Sequence, residues 1–264
     1  MDKGQLLRAF RPNRAVDAAT ALLLVGVWVA VALLLWVFSP FKSLPTPREV
    51  FAALSRLWWT QGMGPELFTT IKLILHALLL TALISMALSY ATVIAAFRPL
   101  VAAASKLRFL GLTGLVFPFT LMTGGGYALK VALLTFGMTA FFVTSMAAVV
   151  IEIPREQFDH MRVLGAGEAR TLWEVVIRGT LDRALEVTRQ NLAIGWTMIT
   201  MVEGISRAEG GIGAMILNQN KHFHLDEVYA ILIVILLLGL LMDYGMGVLT
   251  NVLCPYYRLE RVRR

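Results

Sequence analysis

Six arginines, Arg155, Arg162, Arg170, Arg178, Arg183 and Arg189, crowd with several acids into the stretch from Ile151 to Gln190, IEIPREQFDHMRVLGAGEARTLWEVVIRGTLDRALEVTRQ. Guanidinium and carboxylate groups in such numbers make charge-assisted hydrogen bonds, to one another or to a partner's surface. The remaining ionisable groups are isolated. Lys72, Lys130, Glu203 and Asp243 each stand alone in apolar surroundings, and His76, His160, His222 and His224 are scattered. His222-x-His224 alone is weak evidence for a metal, and Cys254, the single cysteine, excludes an internal disulfide and any multi-cysteine site. No window shows paired metal-ligand spacing, a glycine-rich phosphate loop or a strand-turn-helix nucleophile site. The chemistry this pattern supports is therefore recognition, with any energy coming from elsewhere.

The elements that must position these groups are apolar. Hydrophobic residues make up 58% of the 264, charged residues 16%, and the mean hydropathy is +0.71. That mix describes an all-α integral membrane protein and not a soluble domain. A net charge of +7 would suggest nucleic acid for a soluble chain, but here the placement of the charges matters more than their sum.

Val16 to Phe38 is an almost uncharged run, long enough to span a hydrocarbon core of about 30 Å. The bulky WVFSPF that follows does not fit a cleaved signal, so residues 1–15 read as a short cytoplasmic segment and 16–264 as one transmembrane domain. Prolines at 40, 45 and 47 then break the helix. The next stretch, PREVFAALSRLWW, places Val50, Leu54, Leu57 and Trp58 on one face, as an interfacial helix would. A second span is expected from Leu67 to Phe97, with Lys72 able to snorkel, followed by a basic loop from Arg98 to Arg108.

Phe109 to Met122 is too short for an ordinary span, contains Pro118 and stops at Gly124-Gly125-Gly126; it is either re-entrant or shielded by its neighbours. A fourth span, Tyr127 to Ile151, carries Lys130 about one turn inside. After the charged island come a short fifth span, Leu192 to Ile205, with Glu203 near its far end, a polar loop from Arg207 to Glu227, and a sixth span from Val228 to Leu253, interrupted by Asp243.

About six spans put both termini on one side. The N-terminus holds 4 lysines and arginines, the loop after the second span 3, the island 6 and the C-terminus 4, which places 17 of the 24 on that side. Cytoplasmic loops carry such an excess, so the island, from about 152 to 189, is expected in the cytoplasm. Its apolar residues Phe158, Met161, Leu164, Leu172, Val175 and Val176 recur at helical spacing around Gly165-Ala166-Gly167, which predicts two short amphipathic helices with a hinge.

Nearly the whole chain resembles the permease subunits of binding-protein-dependent type I ABC importers, in the branch of the nitrate, bicarbonate, taurine and alkanesulfonate systems. The resemblance is carried by LPTPREVFAAL, VLGAGEARTLWEVVI, Glu203 with the EGGIGAMI that follows, and DEVYAILIVILLLGLLMD. It implies a permease forming the pathway for a small anion, in the bacterial inner membrane and working by alternating access. Its partners would be two ATPase subunits, a periplasmic or lipid-anchored solute-binding protein, a second permease copy and membrane lipid, with no nucleic acid.

The chain itself would be no enzyme and would bind no cofactor; ATP and magnesium would belong to the ATPase. The family's cytoplasmic signature is an EAA triplet, a glycine four positions on, and later an apolar-proline pair. Gly165 matches, but the triplet reads Asp159-His160-Met161 and Arg178 replaces the proline. The resemblance assigns ATPase coupling to Phe158, Asp159, His160, Met161, Leu164, Gly165 and Ala166. It assigns the pathway to Thr120, Thr123, Gly124, Lys130, Thr197, Thr200 and Glu203. Each of these has a plainer reading: a threonine can bond its own helix, a lysine can snorkel, and a glutamate near a helix end can be merely interfacial. A divergent subunit of a heteromeric importer and a membrane scaffold are the alternative readings.

Overall fold

The computed structural model describes residues 18–39 and 44–255. The basic N-terminal residues, Pro40, Lys42 and the C-terminal arginines, on which part of the charge argument rests, lie outside the described residues. All regular structure among the described residues is helical.

Helix α1, Ala18–Val37, carries no charge and is apolar on every side. It packs little against the rest of the chain, with Leu22, Trp28 and Leu35 exposed. Its far end is fastened by Trp36 Nε1, which donates to the Pro45 carbonyl at 2.9 Å. Helix α2, Pro47–Trp59, starts from a capping box in which Thr46 N donates to Glu49 Oε2 at 2.7 Å while Glu49 N donates to Thr46 Oγ1. It buries Val50, Ala53 and Leu57, leaving Leu54 half-buried and Trp58 largely exposed. The expected apolar face is thus rotated slightly, toward Ala53.

Helices α3, Met63–Ala91, and α6, Gly126–Ile151, form the most extensively packed pair. His76 meets Tyr127 and Thr81 Oγ1 donates to the Thr135 carbonyl, partners 51 and 54 residues apart, so the two helices run parallel in near-constant register. Two parallel spans require a return crossing. That return is made by α4, Arg98–Lys106, and α5, Leu112–Thr123, which meet at a bend of 113°. Helix α5, only about 18 Å long, is too short to span alone. Because α6 begins beside His76, the Gly124–Gly126 turn lies roughly 20 Å along α3, inside the bundle and not at its end.

The island holds α7, Arg155–Val163, and α8, Glu168–Thr171; α8 continues into a π-helical turn, Leu172–Arg178. Helix α9, Leu181–Ile205, then runs to the opposite end. Helix α10, Ile212–Lys221, and α11, Leu225–Leu253, complete the chain. Four helices, α1, α3, α6 and α11, are long and apolar enough to cross a membrane, five if the bent α4–α5 pair counts as one crossing. With α9, whose charges set it apart from the others, the order matches the expected six.

Four boundaries differ from expectation, the first being the second span, which runs Met63–Ala91 and not Leu67 to Phe97. The fifth crossing is 25 residues long and takes over the tail of the island, because its early charges find partners: Arg183 pairs with Glu152 at 3.5 Å and Arg189 with Asp243 at 2.5 Å. The polar loop from Arg207 to Glu227 contains α10, which buries Ile212 and Ala214 against the bundle. The basic loop from Arg98 to Arg108 is largely helix, begun at Pro99 and fixed by the buried Val101. Small residues allow the central helices to close: a Cβ on Gly195 of α9 would lie 3.0 Å from Met138 Sδ of α6.

Candidate functional site

On α7 Phe158 and Met161 are half-buried, and Phe158 packs beside Met146, Val150 and Val176 at the island end of the core. Phe158, Met161 and Ala166 are half-buried, while Asp159, His160, Leu164 and Gly165 are exposed. The helix ends in a Schellman turn: Gly165 N donates to the Arg162 carbonyl at 2.9 Å and Ala166 N to the Met161 carbonyl at 3.0 Å. Gly165 sits at φ +78, a left-handed conformation that a Cβ disfavours, and the space around it is open. Arg162 then spans the hinge, 3.4 Å from Asp159 and 3.2 Å from Glu168. The Glu168 carboxylate, and secondarily Asp159, hold the Arg162 guanidinium above its ordinary value. The Asp159–Arg162 pair has a helical spacing that marks it in sequence; Glu168 lies across the hinge and has none.

This scaffold exposes three large apolar side chains among its charges, Val163, Leu164 and Trp173, by 85%, 67% and 57%. Past Trp173, Arg178 stands where the resemblance places a proline, and the π-helical turn ends at it, capped by Gly179. Arg178 pairs with Glu174 at 3.3 Å, and the chain turns at Gly179 and Thr180 before α9 begins.

The residues expected along the pathway divide into two groups. Thr120 Oγ1 donates to the Val116 carbonyl at 2.7 Å, Thr123 Oγ1 to Phe119 at 2.8 Å and Thr197 Oγ1 to Ile194 at 2.7 Å, so these three bond their own helices. Gly124 ends α5, and Thr200 is half-buried with its backbone against Gly213. Lys130 and Glu203 are instead enclosed within the chain, exposed by 1% and 0%. Glu203 is therefore not interfacial, and the Lys130 ammonium is not at an open mouth. Lys130 Nζ donates to the Gly210 carbonyl at 2.7 Å.

Glu203 accepts from Thr70 Oγ1 and from Gly213 N, each at 2.7 Å, while Ile212 N donates to Thr70 Oγ1 at 3.0 Å and Gly211 N donates to Glu66. Two carboxylates and a hydroxyl thereby satisfy the free N–H groups that open α10. The glycine spacing of EGGIG follows from this arrangement. A Cβ on Gly211, whose φ is +109, would fall 2.3 Å from the Glu203 carboxyl carbon, and one on Gly213 would fall 2.6 Å from Thr200 Cα. Glu66 and Thr70 were not identifiable beforehand, because contacts across more than 130 residues leave no periodic trace. The same holds for Asp243. It interrupts the last span because Arg189 reaches it with two hydrogen bonds, 2.6 and 2.5 Å long.

A helical bundle with apolar spans, a charge-laced loop exposing a few apolar side chains, and ionisable groups inside the spans paired with groups from distant segments define a multi-pass membrane protein. The model of the family described as binding-protein-dependent transport system inner membrane component matches residues 20–251, and the chain belongs to that family. It is 28% identical over 259 residues to the taurine transport system permease protein of Escherichia coli, covering 92% of this chain and 90% of the relative. Proteins of Brucella melitensis and Brucella abortus, each named "Probable ABC transporter permease protein", are 29% identical over 107 residues, covering 39% of this chain and 43% and 42% of theirs. The chain is thus a permease component of an ABC transporter, multi-pass in the inner membrane.

Proposed function

We propose that two copies of this chain form the translocation pathway of an ATP-driven importer for a small sulfonate-type anion, with the island as the element that docks on the ATPase. The observation that carries the coupling role is the exposed apolar pair Val163 and Leu164, held at the end of a helix whose exit is locked by the Gly165 turn. An exposed apolar pair on a rigid, charged support is suited to fill a cleft on a soluble partner. Phe158 ties that support to Met146 and Val150 of α6 and to Val176 in the turn leading into α9, so a push on α7 moves spans and not only a loop. ATP and magnesium would be held by the partner ATPase, a solute-binding protein would deliver the substrate, and both termini would be cytoplasmic. The sulfonate class rests on the similarity to the taurine permease over nearly the full chain.

Copurification from the native membrane tests this reading. An ATPase is expected to accompany the tagged chain, and Gly165→Arg is expected to insert normally while losing the ATPase or uncoupling its turnover from uptake. Full uptake in Gly165→Arg, or no ATPase with the wild-type chain, would overturn it.

A further inference from the structure

Among the described residues Phe223 is the one non-glycine residue with a positive φ, +57. It lies at the reversal between α10 and α11, where His224 N donates to the Gln219 carbonyl and Phe223 N to the Asn220 carbonyl, each at 3.1 Å. Those two bonds make a Schellman turn with phenylalanine in the place where glycine is usual. A bulky residue in the left-handed region is strained, and its side chain is exposed by 82%. On either side of it stand His222 and His224, both exposed, with ring centroids 6.0 Å apart.

The neighbours of the two imidazoles fix their tautomers. His222 Nδ1 lies 2.8 Å from the Asn218 carbonyl, which can only accept, so Nδ1 carries the proton. For His224 the same result is relayed from a carboxylate. Glu227 accepts at both oxygens from Gln61 Nε2, 3.0 Å from each, so Gln61 Oε1 faces the other way and accepts from Gln219 Nε2 at 2.6 Å. Gln219 Oε1 is thereby turned to His224 Nδ1, 3.0 Å away, and accepts its proton. Each neutral ring is left with its lone pair on Nε2 and is oriented through Nδ1–H, as metal-bound histidines are.

The carboxylates that follow are already partnered, Asp226 with Arg56, and Glu227 with Gln61 and Arg56. Among the described residues no group of three or more histidine, cysteine, aspartate or glutamate side chains converges for a metal, so the two imidazoles stand alone as ligands. Imidazoles without carboxylates favour nickel, copper and zinc over magnesium and calcium. An ion about 2.1 Å from each Nε2 holds the ring centroids at most about 6.5 Å apart, a span within which this pair falls.

We infer that His222 and His224 form a binding site for a divalent transition-metal ion, held through both Nε2 atoms with water completing its shell. The ion ties the end of α10 to the start of α11 and stiffens the strained corner between them.

The full chain, purified without a polyhistidine tag and held in nanodiscs, is titrated calorimetrically with Ni²⁺, Zn²⁺ and Mg²⁺. Ni²⁺ and Zn²⁺ are expected to bind, and Mg²⁺ is not. His222→Gln and His224→Gln, at exposed positions, should each weaken Ni²⁺ at least about tenfold, and the double variant should lose the site. Gln219→Met removes the acceptor behind His224 and should weaken Ni²⁺ about tenfold. Ni²⁺ should also raise the melting temperature of the wild-type chain and not that of the double variant. With Cu²⁺, electron spin-echo modulation from the remote ring nitrogens should count two imidazoles in the wild-type chain and one in each single variant, whatever the substitutions do to stability. Equal Mg²⁺ affinity, Ni²⁺ affinity unchanged in the double variant, or fewer than two imidazoles on Cu²⁺ in the wild-type chain would remove the site.

Discussion

Removing the Glu203 carboxylate would strand Thr70 Oγ1 and Gly213 N, two buried groups that now each bond it at 2.7 Å. Glu203→Ala is therefore expected to destabilise the protein by roughly 3–5 kcal/mol, and Glu203→Gln, which keeps one acceptor, by less; thermal melting in detergent distinguishes them. Lys130 provides the companion test. Lys130→Met leaves buried carboxylates without their nearest cation, so the double variant Lys130→Met, Glu203→Gln should melt higher than Lys130→Met alone, a non-additivity read from a double-mutant cycle. At Gly165 no neighbour obstructs a side chain, so Gly165→Ala isolates the cost of the left-handed turn. A loss of about 1 kcal/mol is expected, with insertion unchanged.

At the level of helices, close packing between α6 and α9 depends on Gly195, where a new Cβ would sit 3.0 Å from Met138. Gly195→Leu should cost about 1–3 kcal/mol or force the two helices apart, visible as a lower melting temperature than that of Gly239→Leu, whose neighbours on Trp196 begin at 3.8 Å. The pair between α9 and α11 is half-exposed, so its contribution is modest. Asp243→Ala should cost on the order of 1 kcal/mol, and combining it with Arg189→Met should cost less than the sum of the two. The helix boundaries legible in sequence were those written in local chemistry. The PREVFAALSRLWW stretch read as a helix is α2, Pro47–Trp59, and the apolar run of α1 ends within one residue of expectation. Helix α10 was hidden because its first N–H groups are capped from α3 and α9 and not by its own neighbours. The start of α9 was hidden because Arg183 and Arg189 look solvated until Glu152 and Asp243 come beside them.

For the whole molecule, the proposed orientation makes two opposite surfaces accessible from different compartments. In a Cys254→Ala background, Val163→Cys should react with an impermeant thiol reagent only from the cytoplasmic side, and Asn218→Cys only from the other. Labelling of both from one side would contradict the assignment. Composition and periodicity by themselves determined that the protein is a helical membrane bundle, how often the chain reverses, and where its charged island lies. Those properties follow from what lipid tolerates at each residue, a local condition. Tertiary structure alone decided that α3 and α6 run parallel, that the Gly124–Gly126 turn is internal, and that Lys130 and Glu203 are enclosed beside groups from distant segments while Glu66 and Arg207 face a cavity. A lysine or glutamate in an apolar run reads the same whether it lines a path or pins a turn. Only the groups brought to it from distant segments, by the way the helices pack, determine which it does.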